Sequence, residues 1–115
     1  MDEIIELIQR NSVQVTCSVM TLTEILPMPI KSGDINLIKE YRSILLYSRE
    51  FYVLPISQMI AETAAQLRAI YNLKTPDALH IATAIESKCD AFLTNDIGLK
   101  RISAIQILVL DELTL

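Results

Sequence analysis

Apolar residues follow two different spacings along this chain, and the two spacings alternate. Apolar residues that recur every three to four positions, as Ile4, Ile5 and Ile8 do, predict an amphipathic helix, whereas runs rich in β-branched residues predict a strand. The predicted helices cover residues 2–10, 19–26, 34–50, 58–71 and 75–88. The predicted strands cover residues 13–18, 51–56, 90–94 and 105–110, with a turn and a brief helix at 95–102.

Polar residues before three of these segments predict where the helices begin. Asp34 and Ser57 are suited to accept a hydrogen bond from a backbone amide at a helix start, and Thr75 with Pro76 combines a capping residue with a proline at the first helical position. The apolar spacing then predicts the side chains that face the core: Ile35, Ile38, Tyr41, Leu45 and Leu46 in one helix, and Ile60, Ala64, Leu67 and either Ile70 or Tyr71 in the next.

The order of elements indicates the fold class. Pro27 and Pro29 are predicted to end the 19–26 helix, and a loop through Gly33 is predicted to follow. Strands that alternate with helices, and whose apolar runs suit burial on both faces, are typical of a parallel sheet. We therefore expect an α/β protein, a three-layer α/β/α sandwich with a parallel sheet.

Composition supports one domain covering residues 1–115. A chain of 115 residues with 51% apolar content is long enough to bury one core, and it is too short for two domains of ordinary size. It has two Gly and four Pro, without a repeat or a long polar run, which argues against linkers and solenoids.

Charge and cysteine content limit the possible partners and compartments. The formal net charge of −4 excludes a broad basic surface for duplex nucleic acid, but carboxylates that hold cations leave a nucleic-acid enzyme possible. No apolar stretch approaches the length that spans a bilayer, so no membrane contact is expected. Cys17 and Cys89 lack metal-ligand spacing, and without a visible secretory signal they are expected to be reduced thiols of a cytoplasmic protein.

Asp77 lies on the apolar side of the 75–88 helix. An ionised carboxylate is costly to bury unless it has amide donors, a cation or access to water. Its alternative role is structural, since an acid in the first turn complements the helix dipole. His80 is one turn away and is suited either to reach the same place or to pack as a hydrogen-bonded core residue.

Asp96 is expected to return to the level of Asp77. The helix from Asp77 to Lys88 is about 17 Å long, and the extended chain from there to Asp96 covers a similar distance. In a parallel sheet both acids then lie at the carboxyl edge, where open α/β sheets bind ligands. A simple turn or helix-capping role is the alternative for Asp96.

Glu24 provides a third carboxylate. It begins the second turn of the helix that leaves strand 13–18, so it is also expected near the carboxyl edge, although its position opposite Leu22 and Leu26 equally suits a solvated helix face. Three carboxylates from three elements would form a site of hard oxygen ligands, which suits Mg²⁺ or Mn²⁺.

Four residues near Asp96 are further candidates for substrate binding. Thr94 and Asn95 are suited to a metal-associated water or a phosphate oxygen, and equally to a turn at the end of a strand. Lys100 and Arg101 follow closely enough to meet a phosphate, although a basic pair at the end of a short helix is often only solvated. The sequence has no glycine-rich phosphate loop, nucleophile elbow or Cys/His metal cluster.

The segments "SVMTLTEIL", "LKTPDALHIATAI" and "CDAFLTND" resemble, in order and spacing, the acidic motifs of PIN domains, especially the VapC-type ribonuclease toxins. The resemblance implies a parallel five-stranded sheet between helices. It also matches Glu24, Asp77 and Asp96 to the second, third and fourth acidic positions of that family's metal site. By the same resemblance, the protein is expected to cleave single-stranded RNA with Mg²⁺ or Mn²⁺, to form homo-oligomers and to bind an antitoxin protein.

One part of the family pattern is missing from this sequence. The resemblance implies a first strand ending in Asp ahead of the 2–10 helix, and no such strand is present. About four strands are therefore expected, in an N-terminally truncated PIN-like domain. Three outcomes stay open: strands 13–18 and 91–94 pair directly, another chain or element fills the gap, or Met1 is an internal start in a longer gene.

These observations leave three functional hypotheses. The first is a metal-dependent endoribonuclease of the toxin–antitoxin type, with weak or no activity expected from this chain because one site carboxylate is missing. The second is a truncated PIN-like module that acts by binding a partner protein. A receiver-like signalling domain has a suitable length, but the sequence lacks the acidic pair after a first strand that such a domain needs.

Overall fold

A computed structural model describes Glu6, Arg10 and residues 13–112. The chain divides into two compact units, Met1–Pro55 and Ile56–Leu115, which are described separately. The predicted helix at 2–10 lies largely outside the described residues, and the expectation of one domain stays a prediction. Among the residues that are described, no helix has the length and apolar character needed to cross a membrane.

Within residues 13–55, the first unit contains a parallel pair of strands and three helices. Strand β1 pairs with strand β2 in a register that runs from Val15 opposite Phe51 to Ser18 opposite Leu54. The helices lie between the two strands in the chain, which gives the crossover that a parallel pair requires. The elements are β1 (Val15–Ser18), α1 (Met20–Ile25), α2 (Pro27–Ser32), α3 (Ile35–Tyr47) and β2 (Phe51–Leu54).

The loop predicted between Pro27 and Gly33 is wrong, because these residues form helix α2. Pro27 occupies its first position, where the missing N–H has no partner within a helix in any case. Gly33 ends the helix in a left-handed conformation with φ 69°, and its N–H bonds the Ile30 carbonyl. The prolines therefore separate two helices and begin the second.

Helix α3 begins as predicted and ends earlier. The Asp34 carboxylate accepts a hydrogen bond from the Leu37 amide at 3.1 Å, but the helix stops at Tyr47, not near residue 50. Leu45 is buried, whereas the core position predicted for Ile35 is wrong, since its side chain is 63% exposed. Helical side chains point toward the N-terminus, so the first residue of α3 projects beyond the packed part of the helix.

The second unit is also a parallel strand pair with helices. Strand β3 pairs with β4 from Ala91 opposite Gln106 to Thr94 opposite Val109. The elements are α4 (Gln58–Tyr71), α5 (Thr75–Glu86), β3 (Ala91–Thr94), a 3₁₀ helix (Ile97–Arg101), β4 (Gln106–Val109) and a second 3₁₀ turn (Leu110–Glu112).

Helices α4 and α5 pack together and form the core of the second unit. The Ser57 hydroxyl caps α4 as predicted, accepting from the Ile60 amide at 3.1 Å. Ile70 is 72% exposed, so Tyr71 is the residue that turns toward the core. The buried core residues are Ile60, Ala64, Leu67, Leu73, Ala78, Ile81, Ala82, Leu99 and Ile102.

Helix α5 starts one residue before the predicted position. Lys74 is its N-cap residue and makes no side-chain capping bond, so Thr75 and Pro76 are the first two helical residues. The helix ends at Glu86, where the Ser87 amide bonds the Thr83 carbonyl. The side chain that follows the proline, Asp77, thus lies in the first turn.

The strand pairs confirm the predicted α/β class with parallel strands. The described residues contain four strands in two sheets, β1 with β2 and β3 with β4. Strand β1 is the 13–18 segment and β3 the 91–94 segment, so the described residues do not show the direct pairing of these two strands that was one of the three expected outcomes. Two-stranded sheets are only marginally stable alone, which makes the helices that pack on them essential.

Candidate active site

Asp77 is held by a helix whose other side is buried. It is the third residue of α5, and its half-buried side chain precedes Ala78 and Ile81, which are completely buried. Because the core fixes those two residues, the backbone that carries the carboxylate has little freedom. The first-turn position also puts the acid near the positive end of the helix dipole, which agrees with the structural role considered for Asp77.

Asp96 caps the 3₁₀ helix that follows β3. One carboxylate oxygen, Oδ1, accepts a hydrogen bond from the Gly98 amide at 2.9 Å, and the Asp96 amide donates to Thr94 Oγ1 at 3.1 Å. The turn role considered for Asp96 is therefore real. The turn uses one oxygen of this exposed carboxylate, and the second oxygen can still accept a ligand.

Asp77 and Asp96 belong to adjoining elements of the second unit. Helix α5 contacts β3, and a link of only residues 87–90 joins them, so the two elements run in opposite directions. From Asp77 to the end of α5 is about 14 Å, and from the start of β3 to Asp96 is about 17 Å. Both acids therefore lie toward the same end of the unit, the end at which β3 terminates.

Gly98 allows the Asp96 carboxylate to approach the backbone. A Cβ atom at this position would lie 3.0 Å from Asp96 Oδ1, which is closer than nearly all real Cβ contacts. A side chain at position 98 would therefore crowd the carboxylate, which favours glycine there. The sequence signal for it was the "NDIG" turn.

Glu24 lies in helix α1 of the first unit, where its side chain is exposed. Exposure agrees with the solvated-face alternative and does not exclude a ligand role. Since Asp77 and Asp96 belong to the second unit, the convergence of all three carboxylates stays a prediction. His80, in α5, is half-buried.

Three of the four predicted substrate residues near Asp96 have protein partners in the structure. Arg101 donates from Nη1 to the Tyr71 carbonyl at 2.7 Å, and Lys100 forms an ion pair with Glu112 at 2.8 Å. Thr94 accepts the Asp96 amide, whereas Asn95 is exposed beside it. Contacts of these four residues with a substrate stay predictions.

From the sequence, Tyr71 was considered only as a possible core residue, and Ser103 was not singled out. The Tyr71 hydroxyl lies 3.1 Å from Ser103 Oγ and accepts the Ser103 amide at 3.4 Å. The hydrogen bond with the Ser103 hydroxyl, followed by that with its amide, lowers the pKa of the Tyr71 phenol. No spacing rule links positions 71 and 103, so only the fold brings them together.

The donor chemistry suits a hard cation, but the set of ligands is incomplete. Within the described residues, neither unit gathers three His, Cys, Asp or Glu side chains that could hold a metal ion. Asp77 and Asp96 provide carboxylate oxygens, the ligand type that Mg²⁺ and Mn²⁺ prefer, and Mg²⁺ commonly uses one or two carboxylates with waters and substrate phosphates. Two carboxylates thus match the part of such a site that a protein commonly supplies.

Parallel strands with crossover helices define an α/β protein, and Asp77 and Asp96 lie toward the end at which open sheets of this kind bind ligands. The PIN domain family model matches residues 2–105, and the chain belongs to the PIN domain family. A search of curated proteins finds no significant sequence match.

Two solved structures have a similar fold. A toxin–antitoxin complex from Klebsiella pneumoniae contains a chain with 27% identity and a TM-score of 0.64, over 80% of this chain and 70% of that one. VapBC2 from Rickettsia felis, solved with a DNA fragment from its promoter, gives 20% identity and a TM-score of 0.70, over 93% and 82%. The predicted likeness to VapC-type toxins is confirmed.

Proposed function

We propose that this protein is a divalent-cation-dependent endoribonuclease of the toxin–antitoxin type that hydrolyses phosphodiester bonds in single-stranded RNA. One observation carries the proposal: in a chain that matches the PIN domain family, Asp77 and Asp96 lie toward the same end of the second unit. The 27% identity to a toxin–antitoxin chain supports the same class. The free thiols of Cys17 and Cys89 agree with a reducing compartment such as the cytoplasm.

The proposed ligands are Asp77 and Asp96, with Glu24 as the third acid. When bound, Mg²⁺ or Mn²⁺ supplies Lewis acidity at a phosphoryl oxygen and lowers the pKa of water. Asp96 uses Oδ1 to hold its own turn, and its second oxygen is available to bind or to orient the attacking water. Thr94 and Asn95 lie beside it and are suited to contact the RNA backbone.

Three carboxylates are few for a site of this kind. A hard cation takes six or more oxygens, and affinity falls as charged ligands are removed. We therefore expect weak Mn²⁺ binding and slow cleavage from this chain alone. A chain lengthened at the N-terminus by a strand ending in Asp is the informative comparison, and it is expected to cleave faster.

The test combines calorimetry with cleavage of a single-stranded RNA pool. Asp77→Asn and Asp96→Asn are expected to abolish both the heat of Mn²⁺ binding and any cleavage. Asp90→Asn is the matched control, since Asp90 is exposed just before the opposite end of β3. Mn²⁺ heat that survives the Asp77/Asp96 double variant would place the site elsewhere, and robust cleavage by this chain, lost in Asp96→Asn, would show that no further carboxylate is needed.

Partner binding is a second candidate function, and an exposed apolar surface favours it. Met28 and Ile30 of α2 and Ile35 of α3 are 81%, 58% and 63% exposed. Three large apolar side chains within eight residues are costly to leave in water, and such groups mark protein contacts. We propose that they bind an antitoxin protein.

The two functions have different signatures. Met28→Gln with Ile30→Gln is expected to weaken a complex with a co-expressed antitoxin, measured by light scattering, while Mn²⁺ binding stays unchanged. Asp96→Asn is expected to do the reverse. A complex that forms equally well with the double Gln variant would contradict this docking surface.

A further inference from the structure

Three hydrogen bonds join the segment after Asp96 to the segment before Asp77. Arg101 Nη1 donates to the Tyr71 carbonyl at 2.7 Å, the Tyr71 hydroxyl pairs with Ser103 Oγ at 3.1 Å, and the Ser103 amide donates to the same hydroxyl at 3.4 Å. We call these three residues the Tyr71 latch. Arg101 bonds the backbone of Tyr71, and Ser103 bonds its side chain. Two residues of the later segment therefore hold Tyr71.

The latch lies at a fixed point of the helix pair. Tyr71 is the last residue of α4, and Asn72 follows it in the left-handed conformation with φ 55°. Arg68 Nε donates to the Leu73 carbonyl at 3.3 Å, and Leu73 is buried. This connection leads directly to Lys74, the N-cap residue of the helix that carries Asp77.

On the other side, the latch closes the segment that Asp96 begins. Asp96 caps the 3₁₀ helix Ile97–Arg101, and that helix ends in the latch residue Arg101. Leu99 and Ile102 anchor this segment in the core, but a 3₁₀ helix has poor hydrogen-bond geometry and holds its shape weakly on its own. Hydrogen bonds to its far end therefore limit how far its first turn moves.

We propose that Tyr71, Arg101 and Ser103 are positioning residues that fix the Asp96 carboxylate relative to Asp77. The inference rests on the proposed function, because Asp77 and Asp96 are there the cation ligands. Arg101 then acts on the fold of the site, and not on a substrate phosphate as its position beside Asp96 first suggested. Residues that orient metal ligands without touching the ion commonly change affinity by about tenfold or more.

The two glycines of the chain provide a direct reporter of this role. Gly98 donates its amide to Asp96 Oδ1, and Gly33 lies in the other unit, where its amide bonds the Ile30 carbonyl. Protein labelled with ¹⁵N only at glycine gives two amide signals. Gly98→Ala assigns them, because it removes the one that reports on Asp96.

Tyr71→Phe, Ser103→Ala and Arg101→Ala are each expected to shift the Gly98 signal, to speed its hydrogen exchange and to weaken Mn²⁺ binding about tenfold. The Gly33 signal is expected to stay in place. Arg101→Lys keeps the charge but loses the guanidinium geometry, so it is expected to resemble Arg101→Ala, whereas a phosphate contact would be restored by lysine. Tyr47→Phe, at an exposed tyrosine of α3, is the matched control.

The outcomes separate this inference from the proposed function. A Gly98 signal that is unchanged in all three variants would overturn the latch, whatever the metal does. Perturbed Gly98 in the variants, without Mn²⁺ binding by the unchanged protein, would leave the latch standing as the device that holds Asp96 and would refute the metal site. Loss of thermal stability with an unmoved Gly98 signal would reduce the three residues to ordinary structural contacts.

Discussion

The carboxylate of Asp96 has two oxygens, and the fold uses one of them. Its bond to the Gly98 amide belongs to the turn, yet it also fixes the direction of the second oxygen. A ligand held in this way loses less freedom on binding a cation than a carboxylate on a mobile side chain. The same group therefore serves local structure and the proposed chemistry.

The two glycines are expected to respond differently to the same substitution. Gly33→Ala forces a side chain into φ 69° without a contact within 4 Å, so it is expected to cost about 1 kcal/mol of stability and to leave Mn²⁺ binding unchanged. Gly98→Ala puts a Cβ atom 3.0 Å from Asp96 Oδ1, so it is expected to displace the carboxylate and weaken Mn²⁺ binding. Urea denaturation and calorimetry measure the two effects. Equal loss of Mn²⁺ binding in both variants would contradict the local role of Gly98.

Tyr71 is expected to titrate below the ordinary pKa of a tyrosine phenol. Hydrogen bonds from Ser103 stabilise the phenolate and lower its pKa, so the stabilisation is present above the ordinary phenol pKa and is lost as pH falls through the lowered value. Ser103→Ala is expected to raise the pKa of Tyr71 and to remove the part of the stability that appears only at alkaline pH. Ultraviolet absorbance follows the titration, and Tyr71→Phe should remove its first component. A first component that persists in Tyr71→Phe would assign the shift to another tyrosine.

Among the elements, side-chain chemistry predicted helix starts better than helix ends. Asp34 and Ser57 cap as expected, because their oxygens meet amides three residues away and need nothing from the rest of the fold. Pro27 was misassigned because proline is compatible with both the end and the first turn of a helix. The choice depends on what packs behind it, and Pro29 is buried.

In the candidate site too, local features were predicted from the sequence and contacts made by tertiary packing were not. Asp77 and Asp96 were predicted as site residues from their apolar surroundings and from the lengths of a helix and a strand, which are local quantities. The Tyr71 latch was missed because Tyr71 and Ser103 are brought together by tertiary packing. The likeness of the motifs to PIN domains added the family, which neither residue spacing nor composition determines alone.

Removing either helix cap is expected to lower the stability of the chain by about 1 kcal/mol. Asp34→Ala acts in the first unit and Ser57→Ala in the second, so the pair also tests the expectation of one domain. Urea unfolding is followed by circular dichroism. A single cooperative domain shows one transition, and both variants lower its midpoint by a similar amount. Ser43→Ala, within exposed α3 positions, is the control and should stabilise slightly. Two separate transitions, each shifted by one variant only, would contradict a single domain.

At the scale of the whole molecule, the described strands form two pairs and leave strand edges that carry backbone donors and acceptors. Each strand has four residues and one described partner strand. Such edges readily pair with another chain, and exposed apolar side chains add to the tendency. We therefore expect these edges to favour assembly with another chain.

We expect the purified protein to be a dimer or a higher oligomer. Light scattering over a wide range of concentrations measures this directly. Substituting Leu93, a 44% exposed residue of β3, by Lys should weaken association if the β3 sheet is involved, whereas Gln106→Lys at an exposed position of β4 tests the other strand of that pair. A monomer at all concentrations, with the strands ordered, would show that the chain needs no other copy.

The registers of the two strand pairs bear on the order in which the chain folds. Val15 pairs with Phe51 across 36 positions of chain, whereas Ala91 pairs with Gln106 across 15. Closing the longer loop costs about 0.8 kcal/mol more in chain entropy, and long-range pairing slows folding. During synthesis the first pair emerges earlier but must close the longer loop. Once the chain has left the ribosome, the later pair is the faster to form. The part of the chain that carries Asp77 and Asp96 therefore has the shorter interval in which its apolar strands are exposed to aggregation.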